Sequence, residues 1–200
     1  MPDIKTLEGI FEKYKNASGK EDQLEQVKYG DGVGIVLFTN EVETSFVHDL
    51  KKIAGMQTKV QCNKIGDHGN CILCNAKISR TERILLPVYD PLEISVKILN
   101  MALSLENKSL FPLVNRYLKN LERRPRTTLY ITMAPDFAFS LDPIEFHGDE
   151  SALLDTIEEF REKQTQGKID FKSVIDTMDN ERMGSFPIVQ RKLKIFGYDS

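Results

Sequence analysis

The sequence predicts an α+β protein with a small β-barrel at its centre and helices at its periphery. From about residue 29 to residue 132, short apolar runs alternate with turn residues, which is typical of barrels built from short strands. Amphipathic segments with helical spacing flank this stretch. One cysteine-rich insertion and one helix interrupt the strand pattern, which favours a barrel over a doubly wound parallel sheet.

The chain divides into three predicted regions. Residues 1–28 are predicted as an N-terminal helical arm, with a helix packed on the rest of the protein as the alternative, because apolar residues near the start recur on one helical face. Residues 29–147 form the barrel core, with an inserted subdomain at about 46–80. Residues 148–200 form a C-terminal helical region.

Turn residues and β-branched runs predict the strands of the core. Gly30, Asp31 and Gly32 predict a turn that precedes a buried strand at 35–38. Three segments follow along the chain: KISRTERILLPVYDP as a strand, LEISVKILNM as a strand or the start of a helix, and TTLYITM as a further strand.

Helices and one loop complete the expected elements. Leucines and a valine three and four positions apart predict a helix at 109–121, with Ser109 as a possible N-cap. Residues 134–146 are predicted to be a loop that carries two exposed phenylalanines. Helical patterns in the C-terminal region lie at about 151–163 and 171–178.

The composition excludes several classes of protein. With 200 residues, 40% apolar and 28% charged, the chain is neither collagen-like, nor a coiled coil, nor disordered throughout. Its apolar runs are far shorter than the roughly 20 residues that span a bilayer, so no membrane is expected as a partner. Charges occupy the N-terminal stretch where a signal peptide needs apolar residues, which predicts a cytoplasmic protein.

Three cysteines lie close together in the sequence. An odd number is a poor disulfide framework, and in a reducing compartment the spacing points to a metal site. Cys71 and Cys74 form a C-x-x-C knuckle, in which two thiolates converge on one zinc ion, and Cys62 supplies a third thiolate.

The fourth ligand is expected to be a histidine. His48 is favoured, because it follows an apolar run that can form a strand beside the knuckle. His68 lies in the loop between two of the cysteines and remains the alternative, whereas His147 lies far away in an acidic stretch. Three thiolates and one imidazole leave no open coordination position, so the predicted zinc is structural.

Basic residues concentrate in two stretches, although the net charge of the whole chain is −3. Residues 51–83 carry a net charge of +5 and residues 116–126 carry +4. Such clusters match the phosphate-binding footprint of nucleic-acid grooves, and aromatic side chains near them can stack on unpaired bases. The candidate nucleic-acid contacts are Lys51, Lys52, Lys59, Lys77, Arg80, Arg83, Tyr89, Arg116, Lys119, Arg123, Arg124, Phe137 and Phe139.

An acidic stretch balances these clusters. Residues 136–162 carry a net charge of −8. They are expected to compete with nucleic acid for the basic residues, to recruit basic partner proteins, or to form a solvated helix face.

The order of these motifs resembles that of the zinc-containing single-stranded DNA-binding proteins of T-even and related tailed bacteriophages. A turn and strand, GDGVGIVLFTN, precede His48, and 13, 8 and 2 residues then separate His48, Cys62, Cys71 and Cys74. A basic stretch with a strand follows, then a helix, and the segment DFAFSLD after TTLYITM is similar to the aromatic loop of that family. The resemblance covers about residues 20–146.

The resemblance implies an OB-fold core with a zinc-stabilised subdomain, the two forming a positively charged cleft for single-stranded DNA. It assigns His48, Cys62, Cys71 and Cys74 as zinc ligands. It places Lys77, Arg80 and Arg83 along the cleft, and makes Phe137 and Phe139 candidate stacking residues. A protein of this family acts in the cytoplasm of the host cell.

The function expected from these patterns is sequence-independent coating of single-stranded DNA during replication, recombination or repair. Replication or recombination proteins are the expected partners of the acidic region 136–162. The alternative is a zinc-stabilised protein-interaction module in a replication or transcription complex. No catalytic residues are predicted, because no nucleophile motif, paired carboxylates or open metal site stands out.

Overall fold

A computed structural model of the chain describes residues 24–29, 32–56, 58–63, 70–106, 109–121, 127–135 and 138–198. Within these residues, eight strands form one curled, mixed sheet, a half-barrel flanked by several helices. The strands are β1 Glu25–Gln26, β2 Val33–Leu37, β3 Glu43–Asp49, β4 Lys59–Gln61, β5 Thr81–Asp90, β6 Ser95–Ala102, β7 Thr127–Met133 and β8 Phe139–Glu145. The α-helices are α1 Lys51–Ala54, α2 Ile72–Asn75, α3 Leu110–Leu118, α4 Glu150–Thr165, α5 Asn180–Gly184 and α6 Pro187–Ile195.

Strand β5 is the centre of the sheet. One of its edges pairs with β6 from Arg83 to Asp90, whereas the other edge pairs with β3 up to Leu85 and with β2 from Val88. Pro87 lies between these two partners. Proline has no N–H for a ladder hydrogen bond. A central strand tolerates Pro87 at this position because the strand changes its partner here.

Most of the predicted strands are confirmed. The segments at 35–38, KISRTERILLPVYDP and TTLYITM correspond to β2, β5 and β7. LEISVKILNM, for which a strand and a helix were both open, forms strand β6. Just before β2, Gly32 has a φ of +124°, and a Cβ there would overlap the ring and hydroxyl of Tyr130, so only glycine fits.

The predicted loop at 134–146 is wrong over its larger part, because β8 pairs with β7 from Phe139 to Glu145. Phe139 and Leu141, two positions apart, both pack against the sheet core, which is the period of a strand. Pro143 fits because β8 is an edge strand. The two prolines in the segment therefore did not indicate a loop.

The helix predicted at 109–121 is confirmed as α3. Ser109 occupies its N-cap position without a side-chain cap, because its hydroxyl hydrogen bonds to the Ser104 hydroxyl at 2.9 Å. The helix predicted at 151–163 is confirmed as α4. Asp149 caps the N-terminus of this helix, because its side chain accepts hydrogen bonds from two backbone amides. The helical pattern near the start of the chain lies outside the described residues.

The helix predicted at 171–178 is wrong beyond a short 3-10 turn at Phe171–Val174. Ile175 is extended, and Asp176 makes a parallel bridge with Val60 of β4. Pairing with the edge of β4 therefore replaces the helix. Phe171 and Ile175, whose spacing suggested a helix, instead pack with Phe160 of α4.

Four apolar clusters make up the interior of the described residues, and two of them are the largest. The sheet core lies between β2, β5, β6, β7 and helix α3, and its buried residues are aliphatic. The second cluster, which we call the metal lobe, joins the described residues between 46 and 80 to α5 and α6. Helix α4 covers the other face of the sheet with Leu153, Ile157 and Phe160.

No helix among the described residues is long and apolar enough to cross a membrane.

Candidate metal centre and basic groove

Four side chains converge in the metal lobe. His48 comes from β3, Cys62 follows β4, Cys71 precedes α2 and Cys74 lies in its second half. Their potential ligand atoms all lie within 4.8 Å of one another, and His48, Cys62 and Cys71 are buried. The structure therefore gathers the four residues whose spacing predicted a metal site.

The distances between ligand atoms fit a tetrahedral ion. Cys62 Sγ lies 3.5 Å from Cys74 Sγ, and His48 Nε2 lies 3.5 Å from Cys71 Sγ and 3.6 Å from Cys74 Sγ. A tetrahedron with metal–sulfur bonds of about 2.3 Å and a metal–nitrogen bond of about 2.0 Å has edges of roughly 3.5 to 3.8 Å. The cluster is compatible with a structural metal site.

The orientation of His48 leaves the correct nitrogen for a metal. Its Nδ1 lies 3.2 Å from the carbonyl oxygen of Ser79, which can only accept, so Nδ1 carries the proton. Nε2 is then the nitrogen left for a metal, and it faces the sulfur atoms of Cys71 and Cys74. A carbonyl partner that fixes the imidazole in this way is typical of metal-binding histidines.

The three thiols influence one another strongly. Burial raises the pKa of the Cys71 thiol, but hydrogen bonds from His48 and from two backbone amides outweigh it and lower this pKa to about 6. Burial, together with the neighbouring sulfurs of Cys62 and Cys71, raises the pKa of Cys74 to about 12. A divalent cation at the centre would instead lower the pKa of Cys74, because it attracts every thiolate.

Arg80 borders the centre. Its Nη1 lies 3.9 Å from Cys62 Sγ, and its guanidinium carbon lies 4.0 Å above the ring of Phe46. The first contact is a hydrogen bond to sulfur, and the second is a cation–π interaction. Arg80, predicted to contact nucleic acid, is exposed but has these two partners at the metal centre.

A basic groove runs beside the metal lobe. Lys51, Lys59 and Arg83 line a depression of about 470 Å³ where β3, β4 and β6 meet the extended segment near Asp176. Burial lowers the pKa of Lys59, and the positive charges of Arg83 and Lys52 lower it further, against the opposite effect of Asp49. Lys59 therefore lies close enough to these two cations to be repelled by both.

Arg83 is held rigidly in this groove. Its Nε donates to Asn100 Oδ1 at 2.7 Å and its Nη2 donates to the Asn100 carbonyl at 2.8 Å. The Tyr29 hydroxyl donates to the same carbonyl at 3.3 Å, and the Asn100 amide donates to Gln26 Oε1 at 3.4 Å. Among the described residues no carboxylate pairs with Arg83, so its charge is free to bind an anion.

Two carboxylates also belong to the groove. Asp49 and Asp176 lie among its lining residues. Asp176 accepts a short hydrogen bond from the Thr58 hydroxyl, and Asp49 accepts from the Lys51 amide at 3.0 Å. Neither Asp176 nor Asn100 was expected at the site, because neither stands in a motif and both come from parts of the chain distant in sequence.

The other predicted cations that the structure describes, Lys52 among them, do not line this groove. Lys77 is exposed after α2 with a φ of +54°, and Arg116 is exposed on α3. Lys119 lines a different depression, together with Phe38 and Arg161. Arg123 and Arg124 lie outside the described residues.

The two predicted stacking residues that the structure describes, Tyr89 and Phe139, each pack against another aromatic ring. Tyr89 is only 1% exposed and packs edge-on against Phe146 with 6.4 Å between ring centroids, so its ring cannot stack on a base. Tyr89 belongs to a strand buried on both faces, which its position near basic residues in the sequence did not reveal. Phe139 is half-buried and packs edge-on against Tyr29. Phe137 lies outside the described residues.

Of the other two histidines, His147 does not belong to the metal cluster and is exposed next to the N-terminus of α4. His68, the alternative fourth ligand, lies outside the described part of the chain. Only the last part of the acidic stretch, from Glu150 onward, lies on α4, where Asp155, Glu158 and Glu162 are exposed on the outer face. Lys163 partly neutralises this face through an ion pair with Glu159 at 3.1 Å.

Comparisons with known proteins give no match: no protein-family model, curated protein or solved structure is significantly similar to the chain. The resemblance to the phage proteins therefore stays a prediction.

Proposed function

We propose that the protein binds single-stranded DNA without sequence preference and that the basic groove holds the sugar-phosphate backbone. The observation that carries this proposal is the arrangement of Lys51, Lys59 and Arg83 around one depression. Arg83 supports it most directly, because a largely buried guanidinium without a carboxylate partner among the described residues gains free energy from a phosphate.

We also propose that the Cys/His cluster holds one zinc ion. Three sulfur ligands and one imidazole favour zinc over harder cations such as magnesium or calcium, which prefer oxygen. In that role His48, Cys62, Cys71 and Cys74 bind the ion, which ties β3, β4 and α2 together. The ion supplies structure and no chemical step.

The curled sheet serves, in this proposal, as an OB-fold-like core. Such barrels bind single strands across one face with basic side chains and aromatic platforms. Here the strands β3 to β6 would supply the cations, and the acidic face of α4 would attract basic replication or recombination proteins. We propose no enzymatic activity for the protein.

The test is a titration of a labelled 30-mer of oligo-dT, followed by fluorescence anisotropy at several salt concentrations. We expect binding at micromolar protein in low salt, weakening steeply as salt rises. The double variant Lys51→Gln, Lys59→Gln should bind at least about tenfold more weakly. The slope of the logarithm of affinity against the logarithm of salt concentration should become shallower by about 0.7 for each phosphate that the two lysines neutralise in the wild type.

The matched control is the double variant Arg161→Gln, Lys168→Gln. It changes the net charge equally, both side chains are exposed, and neither lines the groove. We expect it to bind within about twofold of the wild type. Equal losses of affinity in the two double variants would refute the groove, and an unbound 30-mer at micromolar wild-type protein in low salt would refute DNA binding in favour of the protein-interaction alternative.

A further inference from the structure

The two C-terminal helices cover the candidate metal centre. Met183 of α5 and Val189 and Leu193 of α6 are buried in the same cluster as Cys62 and Cys71. Gly184 comes so near α2 that a Cβ on it would lie 3.0 Å from the side chain of Ile72. This packing brings a segment more than 100 residues away in sequence onto the knuckle.

Asn180, the first residue of α5, joins this segment to the loop that carries two of the ligands. Its Oδ1 accepts from the backbone amide of Ile72 at 3.2 Å and from Asn63 Nδ2 at 3.4 Å, and its Nδ2 donates to the Asn70 carbonyl at 2.8 Å. Asn63 directly follows Cys62, while Asn70 and Ile72 directly flank Cys71.

One amide side chain therefore contacts both ends of the stretch between Cys62 and Cys71. Asn63 adds a second link, since its Nδ2 also donates to the Met178 carbonyl at 3.1 Å. Helix α5 has an N-cap of its own in Asp179, whose carboxylate accepts from the Arg182 amide. Asn180 is thus not needed to cap its own helix, and its polar atoms are directed at the metal loop.

We propose that Asn180 is a positioning residue of the metal centre and that docking of α5 and α6 is linked to metal binding. Asn180 fixes the separation of Cys62 and Cys71, so a metal ion binds more tightly when the helices are docked. Linkage makes this effect reciprocal: metal binding stabilises the docked helices by the same factor. This inference rests on the proposed zinc site and does not depend on DNA binding.

The first test measures zinc release from the full-length, zinc-loaded protein to a chelating dye. We expect Asn180→Ala to release zinc at least about tenfold faster than the wild type, in line with the loss of partners that orient metal ligands. Glu181→Ala is the matched control, because Glu181 is the exposed neighbour on the same helix. A release rate for Asn180→Ala within twofold of this control would overturn the positioning role.

The second test needs no variant and therefore survives if Asn180→Ala fails to fold. Hydrogen exchange of the wild type is compared with and without removal of zinc by a chelator. We expect the amides of α6 at Pro187–Ile195 to lose at least about tenfold in protection, while those of α3 at Leu110–Leu118 change little. Equal protection of α6 in the two states would overturn the linkage.

Discussion

The sheet core and the metal lobe reach their order in different ways. The core is built from strands of five to ten residues, such as β2 and β5, and it contains twelve buried apolar residues, two of which are supplied by α3. The metal lobe is built from pieces of three to five residues, except for α6 and the end of β3 that carries His48. Helices of four residues are unstable by themselves, so this lobe depends on side-chain ligands and on long-range packing.

This difference indicates where each region is vulnerable. The core loses free energy gradually when single side chains are truncated, because burial is distributed over many residues. In the metal lobe, two cysteines are themselves members of the apolar cluster, and one ion would join three separate elements. We therefore expect the lobe to order or unfold as a unit with its metal.

The largest expected effect comes from removing the knuckle. In the double variant Cys71→Ser, Cys74→Ser, bound zinc should fall from about one ion per chain to nearly none. The loss of stability should exceed the ~2–5 kcal/mol of a core truncation, because metal binding supplies the folding free energy of such sites. Elemental analysis and thermal unfolding measure the two quantities.

Asn75→Ala is the control for this variant, since Asn75 lies in the same helix and its side chain hydrogen bonds at the surface, to Asn70. It should keep its zinc. Hydrogen exchange of the double variant should show unprotected amides in α2, α5 and α6 beside a protected sheet. Zinc at the wild-type ratio in the double variant would contradict the ligand assignment.

A truncation in the sheet core should have an intermediate effect and the opposite pattern. Leu129 of β7 is 1% exposed, so Leu129→Ala should lower the free energy of unfolding by about 2–5 kcal/mol while the zinc content stays unchanged. Leu92→Ala is the control, because Leu92 is 90% exposed and should cost less than about 0.5 kcal/mol. Loss of zinc from Leu129→Ala would mean that the two regions are not independent.

The sequence predicted the core and the metal ligands for the same reason: both depend on local patterns. Alternating and β-branched runs indicated β2, β5 and β7, and the short spacing from Cys62 to Cys74 indicated the knuckle. Local patterns failed where a distant partner decided the outcome. Asp176 is extended because it pairs with Val60, and residues 139–145 form a strand because β7 offers an open edge.

Local sequence patterns also failed to predict some residues of the candidate site. The basic residues of 51–83 were visible in the sequence, but the residues that shape their surroundings were not. Asn100 orients Arg83 from the neighbouring strand, and Asn180 reaches the metal loop from the end of the chain. A single polar residue far away in sequence has no spacing that marks it, so only the folded chain reveals these partners.

The smallest expected effect is the pH dependence that Tyr29 gives to the sheet core. Burial raises the pKa of Tyr29 to about 12, although the charge of Arg83 opposes the rise. The folded pKa lies above the value of about 10 for an unfolded tyrosine, so the contribution of Tyr29 is complete below pH ~10 and is lost as the pH rises through ~12. Tyr29 is therefore expected to contribute to the alkaline loss of stability in this window.

The variant Tyr29→Phe tests this expectation, because phenylalanine cannot ionise. It should be slightly less stable than the wild type near pH 8, since it lacks the 3.3 Å hydrogen bond to the Asn100 carbonyl. Above pH ~10 it should lose less stability than the wild type, by up to about 1.4 kcal/mol per pH unit. Denaturant unfolding from pH ~8 to ~11.5 measures both curves across the interval between the two pKa values. Parallel curves would show that the alkaline loss does not arise from Tyr29 at the sheet core.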